Sequence, residues 1–214
     1  MKLIIGLGNH GEKYISTRHN LGFMIIEQFF KDYATAKKAN WNTNKTFKSD
    51  VVDFLWTTKL GEEEKIILAK PNTFMNNSGL AASLLVNFYK IPLEDVWVLH
   101  DDIDIPLGGM KIRFSGSSAG HKGIESIIAH MHSEKFWRFR MGIGASHRFT
   151  SNDEDAAKNQ MRKFKLRHVE EFVVSPFDHN EAGKVRELIK RGSKAIKEAL
   201  EDGLSVAMNK YNTK

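Results

Sequence analysis

The chain has 214 residues, 41% of them hydrophobic, which suits one domain built around one substantial core. It has no cysteine, which excludes disulfides and thiolate metal sites and agrees with a reducing compartment. A formal net charge of +6 favours acidic partners such as nucleic acid.

Lys2–Leu7 reads as a short buried strand. Its apolar run is too short for a secretory signal and leads straight into a glycine turn. No stretch approaches the roughly 18 apolar residues of a membrane span, so the expectation is a cytoplasmic protein with no membrane partner. The turn, Gly6-Leu7-Gly8-Asn9-His10-Gly11, satisfies the glycine pattern of dinucleotide sites. That pattern works only where a helix starts at once and lays its amides on a pyrophosphate. Here Glu12–Thr17 reads as loop and the helix begins near His19. The acidic residue expected about 20 positions on would be Glu27, inside that helix rather than after a second strand. The turn therefore presents Asn9, and the helix entry presents His19, at the sheet edge where open α/β sheets build their sites.

Asn20–Phe30 has helical spacing, and Lys48–Thr57 and Lys65–Ala69 read as two strands joined by a turn at Gly61. A helix follows through Leu84, Leu85, Phe88 and Tyr89 to Pro92, with Asn77 or Ser78 as its cap. That leaves Asn72 and Asn76 spare, and a carboxamide can hold a water or a carbonyl oxygen without carrying charge. Asp95–His100 is a buried strand closed by His100-Asp101-Asp102-Ile103-Asp104. Three carboxylates there would suit a hard cation, or one of them could orient a histidine by accepting its N–H. Met110–Phe114 is a strand, Gly116–Gly123 a small-residue loop opening a helix at Gly123–His130, and Arg138–Ile143 a strand. His121 is either a polar contact to a ligand or an ordinary residue at that helix start. Ala182–Leu200 is a long amphipathic helix with a solvated Lys/Glu face. This alternation predicts a single domain over 1–214, a three-layer α/β/α fold with a mixed, mostly parallel twisted sheet of the phosphorylase/hydrolase-like kind.

Six motifs in order carry a family resemblance: Gly6-Leu7-Gly8-Asn9, Thr17-Arg18-His19-Asn20, Pro71-Asn72-Thr73-Phe74-Met75-Asn76-Asn77-Ser78-Gly79, His100-Asp101-Asp102-Ile103-Asp104-Ile105-Pro106, Gly120-His121-Lys122-Gly123 and Arg140-Met141-Gly142-Ile143-Gly144. Together they resemble bacterial-type peptidyl-tRNA hydrolase, from residue 1 to about 145 and again near Ala207-Met208-Asn209-Lys210. The resemblance implies a monomer that needs no metal or cofactor and cleaves the ester joining a peptide to the 3′ end of tRNA. It implies His19 as general base, Asp101 as the carboxylate that orients it, and Asn9 and Asn76 as groups that position the ester carbonyl, the water or the peptide backbone. Tyr14, Met75 and His121 would line the cleft, and Arg113 and Arg140 would grip tRNA phosphate. A positioned imidazole suffices for an ester with a good leaving group, and such a base typically contributes roughly 10²–10⁴-fold.

The chain departs from the family pattern at three places. His10 replaces a proline, Ser117-Ser118-Ala119 replaces glycines, and Lys122 replaces an asparagine that helps position water and substrate. An ammonium accepts no hydrogen bond, so Lys122 would contact phosphate instead, or the chain would be a weakly active relative that holds tRNA or other structured RNA. Between residues 150 and 176 the resemblance lapses, and Lys158, Arg162, Lys163, Lys165 and Arg167 form either a solvated basic face or an extra RNA contact.

Overall fold

The structure is a computed structural model whose described residues are 1–34, 39–144 and 169–212. Seven strands among them form one sheet in the order β2-β3-β4-β1-β5-β7-β6. They are β1 Lys2–Gly6, β2 Asn42–Asn44, β3 Ser49–Thr57, β4 Glu63–Pro71, β5 Val96–Pro106, β6 Met110–Phe114 and β7 Trp137–Gly144. The centre is parallel, β4-β1-β5-β7, and antiparallel pairs close both edges. The expected mixed, mostly parallel sheet is what forms.

Alternate side chains of each central strand serve opposite faces. Ile4, Leu68, Leu99 and Phe139 pack beneath helices α1 (Leu21–Tyr33), α4 (Ala182–Asp202) and α5 (Leu204–Tyr211). Leu3, Ile5, Ile67 and Val98 pack beneath α2 (Ser78–Tyr89) and α3 (Lys122–Met131). Two buried clusters, one per face, make the three layers. No helix of the described residues is long and apolar enough to cross a membrane.

The glycine turn follows from close approach. A Cβ on Gly6 would stand 2.5 Å from the Gly22 carbonyl oxygen, and one on Gly22 would stand 2.4 Å from the Leu7 nitrogen. Backbone meets backbone where α1 leaves β1, and no side chain fits there. Helix α1 begins only at Leu21, and its Phe23 N–H is taken by the Leu7 carbonyl at 3.2 Å, so the turn and the helix start bond each other rather than a pyrophosphate.

Several boundaries differ from the sequence reading. Strand β5 runs on through Asp101 and Asp102 to Pro106, because the buried carboxylates find partners on other elements. Asn77 stands at the N-cap position of α2 but makes no capping bond with its side chain. Ser126 on α3 supplies that function instead, its Oγ accepting from the Gly79 N–H at 3.0 Å. Asn72 is not spare, since its Nδ2 donates to Asp50 Oδ1 at 2.9 Å. The basic run Lys158, Arg162, Lys163, Lys165 and Arg167 lies outside the described residues.

Candidate active site

A cleft of about 880 Å³ opens at the carboxyl ends of β1, β4 and β5, lined by Asn9, His19, Met75, Asn76, Asp101 and His121 among others. Each arrives on a different element. Asn9 ends the β1 turn, and His19 stands in the single 3₁₀ turn Arg18–Asn20 before α1. Met75 and Asn76 belong to the 3₁₀ turn before α2, Asp101 to β5, and His121 to the N-cap of α3.

Asp101 is the hub. Its Oδ1 lies 2.8 Å from His19 Nδ1 and 3.0 Å from His121 Nε2. His121 Nδ1 accepts from the Ile124 N–H at 3.2 Å, so its proton is on Nε2 and points at Asp101. His121 is therefore both the cap of its helix, as an ordinary residue at the helix start would be, and the second donor to the hub. Oδ1 can accept twice, so His19 also donates from Nδ1, and its Nε2 keeps a lone pair. Burial by itself would raise the Asp101 carboxyl, but the two imidazoles outweigh it by charge and hydrogen bonding and hold it far below the usual carboxylate range. Next along β5, burial and the charge of His121 push His100 well below its ordinary value. His100 is a neutral ring, its Nδ1 2.7 Å from the Asp101 carbonyl.

Asn9 is fixed from two sides. Its N–H donates to Asn20 Oδ1 at 2.8 Å, and its carbonyl accepts from Asn20 Nδ2 at 3.0 Å. Its own Oδ1 accepts from the Met75 N–H at 2.8 Å, leaving Nδ2 as the donor for a ligand. The clamp from Asn20 holds the turn whatever residue follows it, so His10 in place of proline leaves Asn9 placed. Sequence reasoning gave Asn20 no role, although an asparagine directly after His19 at a helix entry is a residue able to brace a turn.

The residues expected to line the cleft divide. Met75 and His121 are on its wall. Tyr14 is not, and stands edge-on to Phe74, which is, with ring centroids 6.4 Å apart. Lys122 is at the mouth, 60% exposed, in a surface ion pair with Glu125 at 3.2 Å. Arg113 and Arg140 lie outside the cleft on the sheet face that α3 leaves open, in register with Arg138 and Lys111 across the β6–β7 pair. Arg140 donates to Asp102 Oδ2 at 2.6 Å. Arg138 holds the loop carbonyls of Gly116 and Ser117, and burial lowers it to about 10, still cationic at neutral pH. Those carbonyls point at a cation, so the small-residue loop turns oxygens rather than amides toward this face.

A second residue escaped the sequence reading. Arg18 is 3% exposed, stacks between Phe172 and Phe177, and donates to Ser175 Oγ at 2.8 Å and Glu181 Oε2 at 2.6 Å. It pins the segment whose Val173 and Val174 close one wall of the cleft. An arginine between Thr17 and His19 carries no local sign of a partner more than 150 residues away.

The three carboxylates do not converge on a cation. Asp102 turns to Arg140 and also accepts from the Asp104 N–H at 2.9 Å. The ligand atoms of His19, Asp101 and His121 do lie within 4.8 Å of one another, the grouping among the described residues that could hold a metal ion. A cation there would have to displace both ring protons now resting on Oδ1.

The peptidyl-tRNA hydrolase family model matches residues 3–214, across the segment where the resemblance was expected to lapse. The chain is 41% identical to a peptidyl-tRNA hydrolase of Thermoanaerobacter sp. (strain X514), covering 99% of this chain and 100% of that one. It is 36% identical to the one of Thermosynechococcus vestitus, covering 99% and 94%. The fold matches the peptidyl-tRNA hydrolase structure from Acinetobacter baumannii with a TM-score of 0.81 at 26% identity, over 100% of this chain and 95% of that one. With the hub, the clamp and the cleft all formed by residues inside that match, this chain belongs to the peptidyl-tRNA hydrolase family.

Proposed function

We propose that this chain hydrolyses the ester between a peptide, or an N-blocked aminoacyl group, and the 3′ end of tRNA. The observation that carries this reading is the chain of contacts from Asp101 Oδ1 through His19 Nδ1, with the opposite ring nitrogen left basic in a cleft. His19 Nε2 takes a proton from a water as that water attacks the ester carbonyl. The carbonyl oxygen becomes an oxyanion, and Asn9 Nδ2 donates to it, with Asn76 as the second carboxamide. The Asp101 carboxylate stabilises the imidazolium that forms. The tetrahedral intermediate collapses, the ribose oxygen leaves with the proton from Nε2, and the peptide acid and free tRNA result.

The cations Lys111 and Arg113, both exposed, and Arg140 beside them support a phosphate backbone approaching from the β6–β7 side. Lys122 would exchange its weak surface partner Glu125 for a phosphate at the mouth of the cleft. The test is release of an N-acetyl-amino acid from tRNA. His19→Ala is expected to lower the rate by roughly 10²–10⁴-fold. Equal rates in the two proteins would remove His19 from the mechanism.

A further inference from the structure

A second cavity of about 800 Å³ adjoins the cleft, and Phe74 and Asn76 line both. It lies at the β2-β3-β4 end of the sheet, whereas the arginine face lies at the β7-β6 end. We infer that this cavity receives the peptide part of the substrate and favours acidic side chains there. The inference rests on the hydrolase reading and extends it to the substrate's other half.

The substrate is a linear molecule with the ester in the middle. If its phosphates lie on the β6–β7 face, the peptide must leave the cleft on the opposite side, past Phe74. The groups waiting there suit a peptide better than a second stretch of RNA. Beside the cavity, Asn72 Oδ1 and Thr73 Oγ1 are buried without a hydrogen-bond partner. Asn72 Oδ1 is an acceptor only, and a phosphodiester offers no donor, whereas every peptide N–H does. Asn44 and Asn77 add carboxamides, which both donate and accept along a peptide backbone without reading its sequence.

Two ammonium groups give the cavity its charge. Lys45 and Lys48 line it, both exposed, and neither has a carboxylate partner among the described residues. Asp50 is spoken for, its Oδ1 accepting from Thr43 Oγ1 at 2.7 Å and from Asn72 Nδ2 at 2.9 Å. Lys48 holds a φ of 48°, left-handed backbone where glycine would be cheaper.

The experiment compares three substrates on one tRNA with one ester-linked residue. They are the N-acetyl-aminoacyl form, a tripeptidyl form with two aspartates, and a tripeptidyl form with two lysines. Wild type is expected to show a lower KM for the aspartate form than for the lysine form, by about two- to fivefold per lysine engaged. In Lys45→Glu/Lys48→Glu that preference inverts, while KM for the short N-acetyl form moves by less than about twofold. Lys48→Gly keeps the backbone without strain, so it melts no lower than wild type and still loses part of the preference. An equal rise of KM on all three substrates in the double variant would mean that the lysines hold RNA, and would overturn the inference. So would the absence of any charge preference in wild type. No release from any substrate by wild type would overturn the hydrolase reading and this subsite with it.

Discussion

Asp101→Asn keeps the shape of the hub and removes its charge. The carboxamide oxygen can still accept from His19 Nδ1 and from His121 Nε2, which stand 2.8 Å and 3.0 Å from Oδ1 in the native protein. What disappears is the negative charge that faces the His19 imidazolium once Nε2 has taken the water's proton. Imidazolium charge is spread over the ring, so the two charges are centred about 4 Å apart, which at an effective dielectric near 20 is worth about 4 kcal/mol. At 1.36 kcal/mol per decade this predicts a fall in kcat of roughly 10³-fold. KM is expected to stay within about twofold, because the groups proposed to contact the bound ester, Asn9 and Asn76, are untouched. The assay is single-turnover release of an N-acetyl-amino acid from tRNA at saturating enzyme, with a melting curve on each protein to show that both are folded. A kcat within about threefold of wild type, in a protein that melts normally, would refute the electrostatic role of Asp101.

The same hub sets an acid limit on stability. Its folded-state pKa is depressed, so its contribution is fully present above the unfolded carboxylate value of about 4 and is lost as pH falls below it. The gap in urea-unfolding free energy between wild type and Asp101→Asn should be level from pH 7 to pH 5 and narrow below pH 4. A gap that widens toward acid contradicts the assignment. Asn20→Ala removes both bonds to the Asn9 backbone and leaves a buried N–H and carbonyl unpaired, a loss of about 2–6 kcal/mol at about 1–3 per group. Its kcat is expected to fall further than its KM rises, and Asn20→Asp, which sets a buried carboxylate oxygen against the Asn9 carbonyl, should be at least as destabilised. Denaturant curves and steady-state kinetics on the three proteins decide it, and an unchanged kcat in Asn20→Ala would separate the clamp from catalysis.

Much of this arrangement was legible from local pattern. The runs Leu3-Ile4-Ile5 and Val96-Trp97-Val98-Leu99 read as buried strands because both their faces are apolar, and both are central in the sheet. His19 and Asp101 stood out because polar residues ending such runs fall at one edge of it. Strand β5 was read too short for the same reason: Asp101 and Asp102 look like loop until His19, His121 and Arg140, brought by other elements, satisfy them. Asn77 looked like a helix cap, but α3 packs so close that Ser126 reaches the Gly79 N–H first. Strand β2 has no apolar alternation in Asn42-Thr43-Asn44 and exists through its pairing with β3. The partners of Arg18 and Asn9 are tertiary facts, and nothing within a few residues of either announces them.

The parallel pairing of β1 with β5 also orders events in time. His19 and Asp101 are 82 positions apart in the chain, and they meet only when Gly6 registers beside Leu99 and the Leu7 N–H finds the Leu99 carbonyl. Closing so long a loop is slow compared with forming α1 or the β3–β4 hairpin, so the reactive pair assembles after those local elements. A chain growing from its amino end therefore carries His19 without its carboxylate until β5 has been made and docked, and because that ladder is central and fully buried, the pair comes apart only when the core itself opens.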